Sequence, residues 1–348
     1  MVRKSLLFVL FVSLLAACQS PNATRLETGE VLSESCQTIE HDAGETKVCD
    51  RPERIIALGP YLLEALVALD MQPVGFADHI SLHQGTYNNP SRQIPYLGRE
   101  MEKRISERAL LPMANVGSAF TPSMEAILKL QPDLIVGTDA NVEQYEALSQ
   151  IAPTLLFEWG DTAQTMSAIG QAVERSEKAA QVISEMEVRI AEARETFSPL
   201  VAARPKVALL SASQLTDVTL AESAFGPCRA LVEEIGFQLV EPSELKSTDV
   251  DMPAPFSLEA LPQFNEADSV IFLSYNFSNL GELEDADEFT AHQFSALKQA
   301  WENNAIAQSL TASKNDQVHF IPSYICLGLT GPIGTDLYLD KLQAALLP

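Results

Sequence analysis

A chain of 348 residues exceeds what one hydrophobic core comfortably spans, and 46% apolar against 20% charged residues marks it as globular, so two domains are the starting expectation. Its 23 Lys and Arg stand against 47 Asp and Glu, a net charge of −24 that repels nucleic acid and anionic lipid headgroups. Nucleic-acid binding is therefore excluded, and an acid excess of this kind is also what salty surroundings screen.

Arg3 and Lys4 precede an apolar run, Leu6 to Leu15, which Ala16 and Ala17 close ahead of Cys18. The run is about half of the roughly 20 residues that a bilayer-spanning helix needs. Residues 1–17 thus resemble a bacterial lipoprotein signal peptide. The resemblance implies cleavage before Cys18, a lipid on Cys18 as the one covalent addition, and a mature chain anchored to a membrane in the periplasm. Residues 18–53 read as a tether followed by a disulfide loop. They are polar and aperiodic to about 35, and Cys36 and Cys49 then favour a bridge in an exported protein. Cys228 and Cys326 leave a second, long-range bridge open.

From residue 54 to 160 the pattern predicts an N-terminal α/β lobe: strand 55–58, helix 61–69, strand 74–77, helix 122–130, strand 134–136, helix 142–151 and strand 154–157. The segment 161–199 reads as a connecting helical rod. Met166, Ile169, Val173, Ala180, Ile183, Met186, Ile190, Ala193 and Phe197 recur at three- and four-residue steps, Asp161 can cap the start, and Pro199 is expected to stop the end. Ser176 offers a second cap, and the piece beyond it spans roughly 30 Å. A second α/β lobe, 200–348, follows with strand 207–210, helix 227–235, strand 270–273, helix 293–308, strand 318–321 and a helix from about 334. Strands that alternate with helices form mainly parallel sheets covered on both faces. The expected architecture is α/β, two lobes joined by one long helix.

One unit occurs in both lobes. Ser123-Met124-Glu125-Ala126-Ile127 before Asp133-Leu134-Ile135-Val136 is matched by Ser257-Leu258-Glu259-Ala260-Leu261 before Asp268-Ser269-Val270-Ile271. A carboxylate in the first turn of a helix favours the positive end of its dipole. Together with the lipoprotein start, the long helix, Thr121-Pro122-Ser123-Met124-Glu125 and Gln131-Pro132-Asp133-Leu134-Ile135, this unit resembles the ferric-siderophore and cobalamin class of periplasmic substrate-binding proteins that serve ABC importers (class III). The resemblance covers about 50–348. It implies a monomer with a largely pre-formed inter-lobe cleft, a ferric chelate as ligand, no catalysed reaction, and salt bridges from Glu125 and Glu259 to the two subunits of a permease dimer.

Ligands of open α/β sheets meet the loops at the carboxyl ends of strands. Those loops supply Tyr61, Arg99, Trp159, Tyr275 and Tyr324 as candidate ligand contacts, the aromatic groups offering apolar wall with a polar handle and Arg99 a grip for anionic oxygen. Siderophore binders of this class commonly carry a tryptophan and an arginine before the C-terminal helix, where this chain has Tyr324-Ile325-Cys326-Leu327-Gly328-Leu329-Thr330-Gly331-Pro332. That departure favours a neutral or weakly charged chelate, hydroxamate-based rather than tricatecholate. Gly328, Gly331 and Gly334 imitate a phosphate cradle but lack the Lys-Ser/Thr ending of a nucleotide loop. Neither Gly-x-Ser-x-Gly nor His-Glu-x-x-His is present, so an enzyme has little support. The rivals are haem or cobalamin as ligand, bare zinc or manganese held by His79 and His83, and a lipid-anchored sensor or redox protein working through Cys228 and Cys326.

Overall fold

The computed structural model describes residues 36–80, 85–105, 110–222, 225–246, 254–280, 283 and 286–347; Cys18, the tether to residue 35 and His83 lie outside them. Among the described residues no helix is long and apolar enough to cross a membrane.

The stretch expected as a disulfide loop is a hairpin. Cys36–His41 (β1) and Gly44–Cys49 (β2) pair antiparallel with Cys36 opposite Cys49, and the two are disulfide-bonded. Ile39 and Val48 point inward and are fully buried. The Asp42 N–H donates to the Leu156 carbonyl at 2.9 Å and Thr46 Oγ1 to the Thr154 carbonyl at 3.0 Å, so the hairpin is tied to the edge of the first sheet.

That sheet comprises Ile55–Leu58 (β3), Gly75–Asp78 (β4), Ala114–Ser118 (β5), Leu134–Thr138 (β6) and Thr154–Phe157 (β7). Its order is β5-β4-β3-β6-β7, all parallel. Strands covered on both faces lose the polar alternation of a one-sided sheet, hence runs such as Ile55-Ile56-Ala57-Leu58. The chain builds first to one side of β3 and then to the other, so the connections diverge between β3 and β6. Their carboxyl ends frame a crevice. The second sheet comprises Lys206–Ala212 (β8), Thr219–Leu220 (β9), Gln238–Leu239 (β10), Ser269–Ser274 (β11) and Val318–Pro322 (β12). Its order is β10-β8-β11-β12, parallel, with β9 antiparallel to β8.

The rod is two helices, Thr162–Ala172 and Ser176–Ala203; Asp161 caps the first by accepting the Gln164 N–H at 3.1 Å. Pro199 does not end the second, which continues to Ala203. A proline inside a helix removes the bond its own N–H would make and crowds the carbonyl one turn back; here packing offsets that cost, since buried Phe197 and partly buried Leu200 and Val201 hold the turn against the second core. The stretch 142–151 is a 3-10 turn, Asp139–Gln144, running into the short helix Tyr145–Ser149. The stretch 293–308 divides into Ser295–Glu302 and Ala305–Ser309, because the Asn304 side chain accepts the N–H groups of Ile306 and Ala307 and starts a new helix.

The repeated unit has one physical role in both lobes. Asp133 accepts the Arg54 N–H at 2.8 Å and Asp268 the Lys206 N–H at 2.9 Å, so each aspartate closes the start of its sheet's central strand. Ser123 caps the α-helix Met124–Leu130, whereas Ser257 opens a 3-10 run, Leu258–Phe264, in which Pro262 has no N–H to continue an α-helix.

The hairpin bridge closes a loop of a size that stabilises by about 3 kcal/mol in the chain-entropy model. The double change Cys36→Ala and Cys49→Ala is expected to lower unfolding stability by about that amount, read by denaturant melts, with the circular dichroism of the folded protein retained. An unaltered midpoint would show that the bridge constrains nothing.

Candidate functional site

A cavity of about 300 Å³ opens at the crevice between β3 and β6. Each strand of the first sheet contributes residues at or just past its carboxyl end: Leu58, Gly59, Pro60 and Tyr61 at the end of β3, His79 after β4, Ala119 and Phe120 after β5, Thr138, Asp139 and Ala140 at the end of β6, and Trp159 after β7. Leu327 and Gly328, which follow β12, close it from the second lobe. Gly59 has φ +136°, a conformation that admits few residues with a side chain, and it lets β3 turn directly into the helix Pro60–Ala68.

Trp159 and Tyr61 stand in the wall of this cavity. The Trp159 Nε1–H donates to the Leu327 carbonyl at 3.0 Å, so its polar handle joins the lobes while its ring lines the cavity. The Tyr61 hydroxyl donates to Thr165 Oγ1 at 2.7 Å, and burial pushes its pKa up. Tyr324 is a support beneath the wall. It is buried, and its hydroxyl donates to both Asp78 oxygens at 3.2 and 3.3 Å. Burial raises the Asp78 pKa, and His79, the Ile80 N–H and the Tyr324 hydroxyl offset part of that rise. His79 lies over this pair, with its ring 5.0 Å from that of Tyr324 and Nδ1 3.9 Å from Asp78 Oδ1.

Arg99 and Tyr275 are not among the lining residues. Arg99 forms a two-pronged ion pair with Asp287 of the second lobe. Beside it Phe289, fully buried, packs against Tyr96 and Tyr324, with centroids 6.4 and 5.6 Å apart. Arg99 therefore belongs to a clasp across the lobes. Tyr275 stacks on Phe277 at 5.5 Å. Glu125 and Glu259 are exposed; Glu125 reaches Lys129 at 2.7 Å on its own helix, and the Glu259 carboxyl is held below its usual range by its own N–H and by the Ser257 hydroxyl. Cys228 and Cys326 are bonded to each other. Among the described residues no group of three or more His, Cys, Asp or Glu is arranged to hold a metal ion.

The residue that sequence reasoning passed over is Glu64, in the first-lobe helix Pro60–Ala68. It is fully buried, and its carboxylate accepts the Gly331 N–H at 2.8 Å and the Gly334 N–H at 2.6 Å, at the start of the second lobe's C-terminal helix Pro332–Leu346. The glycine-rich stretch is an anion cradle after all, filled by a side chain of the same protein. A Cβ at position 331 would lie 2.8 Å from that carboxyl carbon, so a side chain there would push the Glu64 carboxyl away from its donors. Burial pushes the Glu64 pKa up to about 7, against the opposing pull of the Gly334, Gly331 and Ile333 N–H groups and of Arg104.

A profile of the periplasmic binding protein family matches residues 55–325. The chain belongs to this family. This periplasmic binding protein is 25% identical over 343 residues to the probable siderophore-binding lipoprotein YfiY of Bacillus subtilis (strain 168), with 97% of the chain and 95% of the relative aligned. It is 25% identical over 296 residues to the Fe(3+) dicitrate-binding periplasmic protein FecB of Escherichia coli (strain K12), covering 82% of each. The petrobactin-binding protein YclQ of Bacillus subtilis has the same fold, with a TM-score of 0.67 and 18% identity over 90% of this chain and 100% of that one.

Because the Glu64 pKa rises from 4.5 to about 7 on folding, the folded binding protein holds more protons than the unfolded chain across that window. Its stability must then fall as pH rises from 4.5 to 7, by up to about 3 kcal/mol for a shift of this size. Glu64→Gln is expected to remove that decline, and Glu64→Ala to destabilise by roughly 1–3 kcal/mol for each N–H left unpaired. Denaturant melts at several pH values decide it; an identical pH slope in Glu64→Gln would refute the assignment.

Proposed function

We propose that this protein is the substrate-binding component of an ABC importer, lipid-anchored through Cys18 on the periplasmic side of a bacterial membrane, which captures a ferric siderophore and delivers it to a permease dimer. The cavity at the strand-order reversal carries this reading. It lies where open α/β sheets bind ligands, it is walled by an indole, a phenol ring and an imidazole, and its mouth carries exposed Phe120. The relatives' names point the same way: one is a probable siderophore-binding lipoprotein, another binds ferric dicitrate.

The wall also narrows the ligand class. Its described residues include His79 and Asp139 but neither Lys nor Arg, and Arg99 is already paired with Asp287. A polyanionic chelate would lack a partner in a chain of net charge −24. A neutral or weakly charged hydroxamate-type ferric chelate fits an apolar wall with few polar groups. Delivery rests on Glu125 and Glu259, which are free to exchange local partners for permease arginines; the Lys129 pair is solvent-exposed and of a kind worth under about 1 kcal/mol. We assign the mature protein as a monomer.

Titration of the mature protein with ferrioxamine B, ferric citrate, haem and cobalamin is expected to give a saturable change in tryptophan emission with the ferric hydroxamate. Tight binding of free Zn²⁺ or Mn²⁺ with no response to any chelate would contradict the reading. The pair Glu125→Ala and Glu259→Ala is expected to keep ferrioxamine B affinity and to abolish iron uptake in cells, each single change giving a partial loss. Full uptake by the folded double variant would leave the glutamates as helix-end groups.

A further inference from the structure

Residues 323–334 follow β12 and so belong by sequence to the second lobe, yet their hydrogen bonds reach the first. Tyr324 donates to Asp78, the Leu327 carbonyl accepts from Trp159, the Thr330 carbonyl accepts from Thr162 Oγ1 at 2.8 Å, and the Gly331 and Gly334 N–H groups donate to Glu64. Packing on the opposite side is incomplete around Leu329 and Thr330. A cavity of about 170 Å³ lies under the segment, among Met186, Ile190, Leu231 and Leu329. Tyr338 and Thr330, which also border it, bury hydroxyls that have no hydrogen-bond partner among the described residues. Fully buried Ile325 in the second core and the Ser323 N–H, which donates to the Ser274 carbonyl at 2.8 Å, seat the start of the turn Tyr324–Leu327 on the second lobe. The Cys228–Cys326 bond adds the covalent tie beside the gap: its Cα atoms are 5.1 Å apart, and Cys228 sits fully buried in the helix Gly226–Glu234, which is embedded in the second core.

We propose that the Cys228–Cys326 disulfide is a positioning element for ligand binding, holding Leu327 and Gly328 as a fixed wall of the cleft and so setting its affinity. The inference rests on the cleft being the binding site. Side chains that must be ordered at the moment of binding weaken it, whereas a wall already held in place does not. The bond also transmits the second lobe's position to Trp159, two residues beyond β7, through the Leu327 carbonyl. The Cys36–Cys49 bond joins the open end of the hairpin at the edge of the first sheet, at the far end of the strand pair from the Asp42 turn that accepts the Glu158 N–H.

The chain has two tryptophans, Trp159 in the cleft wall and Trp301 buried in the far core of the second lobe, so 5-fluorotryptophan labelling gives two fluorine resonances. Trp159→Phe assigns them. In the mature protein without ligand, the double change Cys228→Ala and Cys326→Ala is expected to shift or broaden the Trp159 resonance and leave that of Trp301 in place. The same variant is expected to bind ferrioxamine B about tenfold more weakly or worse, a loss of about 1.4 kcal/mol. The pair Cys36→Ala and Cys49→Ala, which removes a disulfide that closes a shorter loop, is expected to change neither reading. If the Cys228 and Cys326 variant does not fold, the Cys36 and Cys49 variant held in a phosphine reductant opens the same bond in the intact chain. An unmoved Trp159 resonance with unchanged affinity overturns the proposal, as does an equal effect from the hairpin pair. Failure of ferrioxamine B to bind the unaltered protein would count against the chelate reading, and the fluorine comparison would still decide the role of the bond.

Discussion

The contact on which the cleft depends is the one between Glu64 and the start of the C-terminal helix. A carboxylate withdrawn from water loses a large hydration energy and is tolerated only where hydrogen bonds replace it. Here the replacement comes from backbone N–H groups of the other lobe, aligned at the positive end of a helix. The same geometry satisfies both parties, since a buried helix start otherwise leaves its first N–H groups without acceptors. A small separation of the lobes at this point would leave a buried carboxyl without its donors and those donors without an acceptor. The loop that carries Leu327 and Gly328 into the cavity runs directly into this anchor, so the cleft wall inherits its position.

Around that anchor the seam is fastened by chemically different bonds. Asp78 takes the Tyr324 hydroxyl, Trp159 reaches the Leu327 carbonyl, Arg99 meets Asp287, and Phe289 of the second lobe is buried in the first lobe's core. The exposed Arg99 pair contributes little by itself, whereas Phe289 and Tyr324 remove large apolar surfaces from water. Together with the single long helix, these contacts hold the two lobes against each other around the cavity.

Most of the fold was legible in the chain because hydrophobic period and strand–helix alternation are local signals. Ile55 to Leu58, Leu134 to Val136, Val270 to Leu273 and the rod from Ser176 all stand where their patterns put them. Elements that depend on tertiary partners were not. The hairpin 36–49 carries no local strand signal because Ile39 and Val48 are isolated apolar residues whose burial needs β7, and Pro199 is a local stop signal that only tertiary packing around Phe197 overrides. The site divides the same way. Trp159 and Tyr61 were found by topology, since both directly follow strands. Tyr324 and Arg99 were assigned to a ligand because their partners, Asp78 and Asp287, lie 246 and 188 residues away. Glu64 carried a usable signal, a lone acidic residue in an otherwise apolar stretch from Tyr61 to Leu69, and the cradle of Gly331 and Gly334 carried its complement; only the fold joins them.

The most direct test of a ferric chelate in this cleft is a crystal structure of the mature protein grown with ferrioxamine B, with the metal located by anomalous scattering at the iron edge. A single iron peak over the cavity, bordered by Trp159, His79 and Leu327, is the result expected here. Iron found elsewhere, with the cavity filled only by solvent, would contradict it.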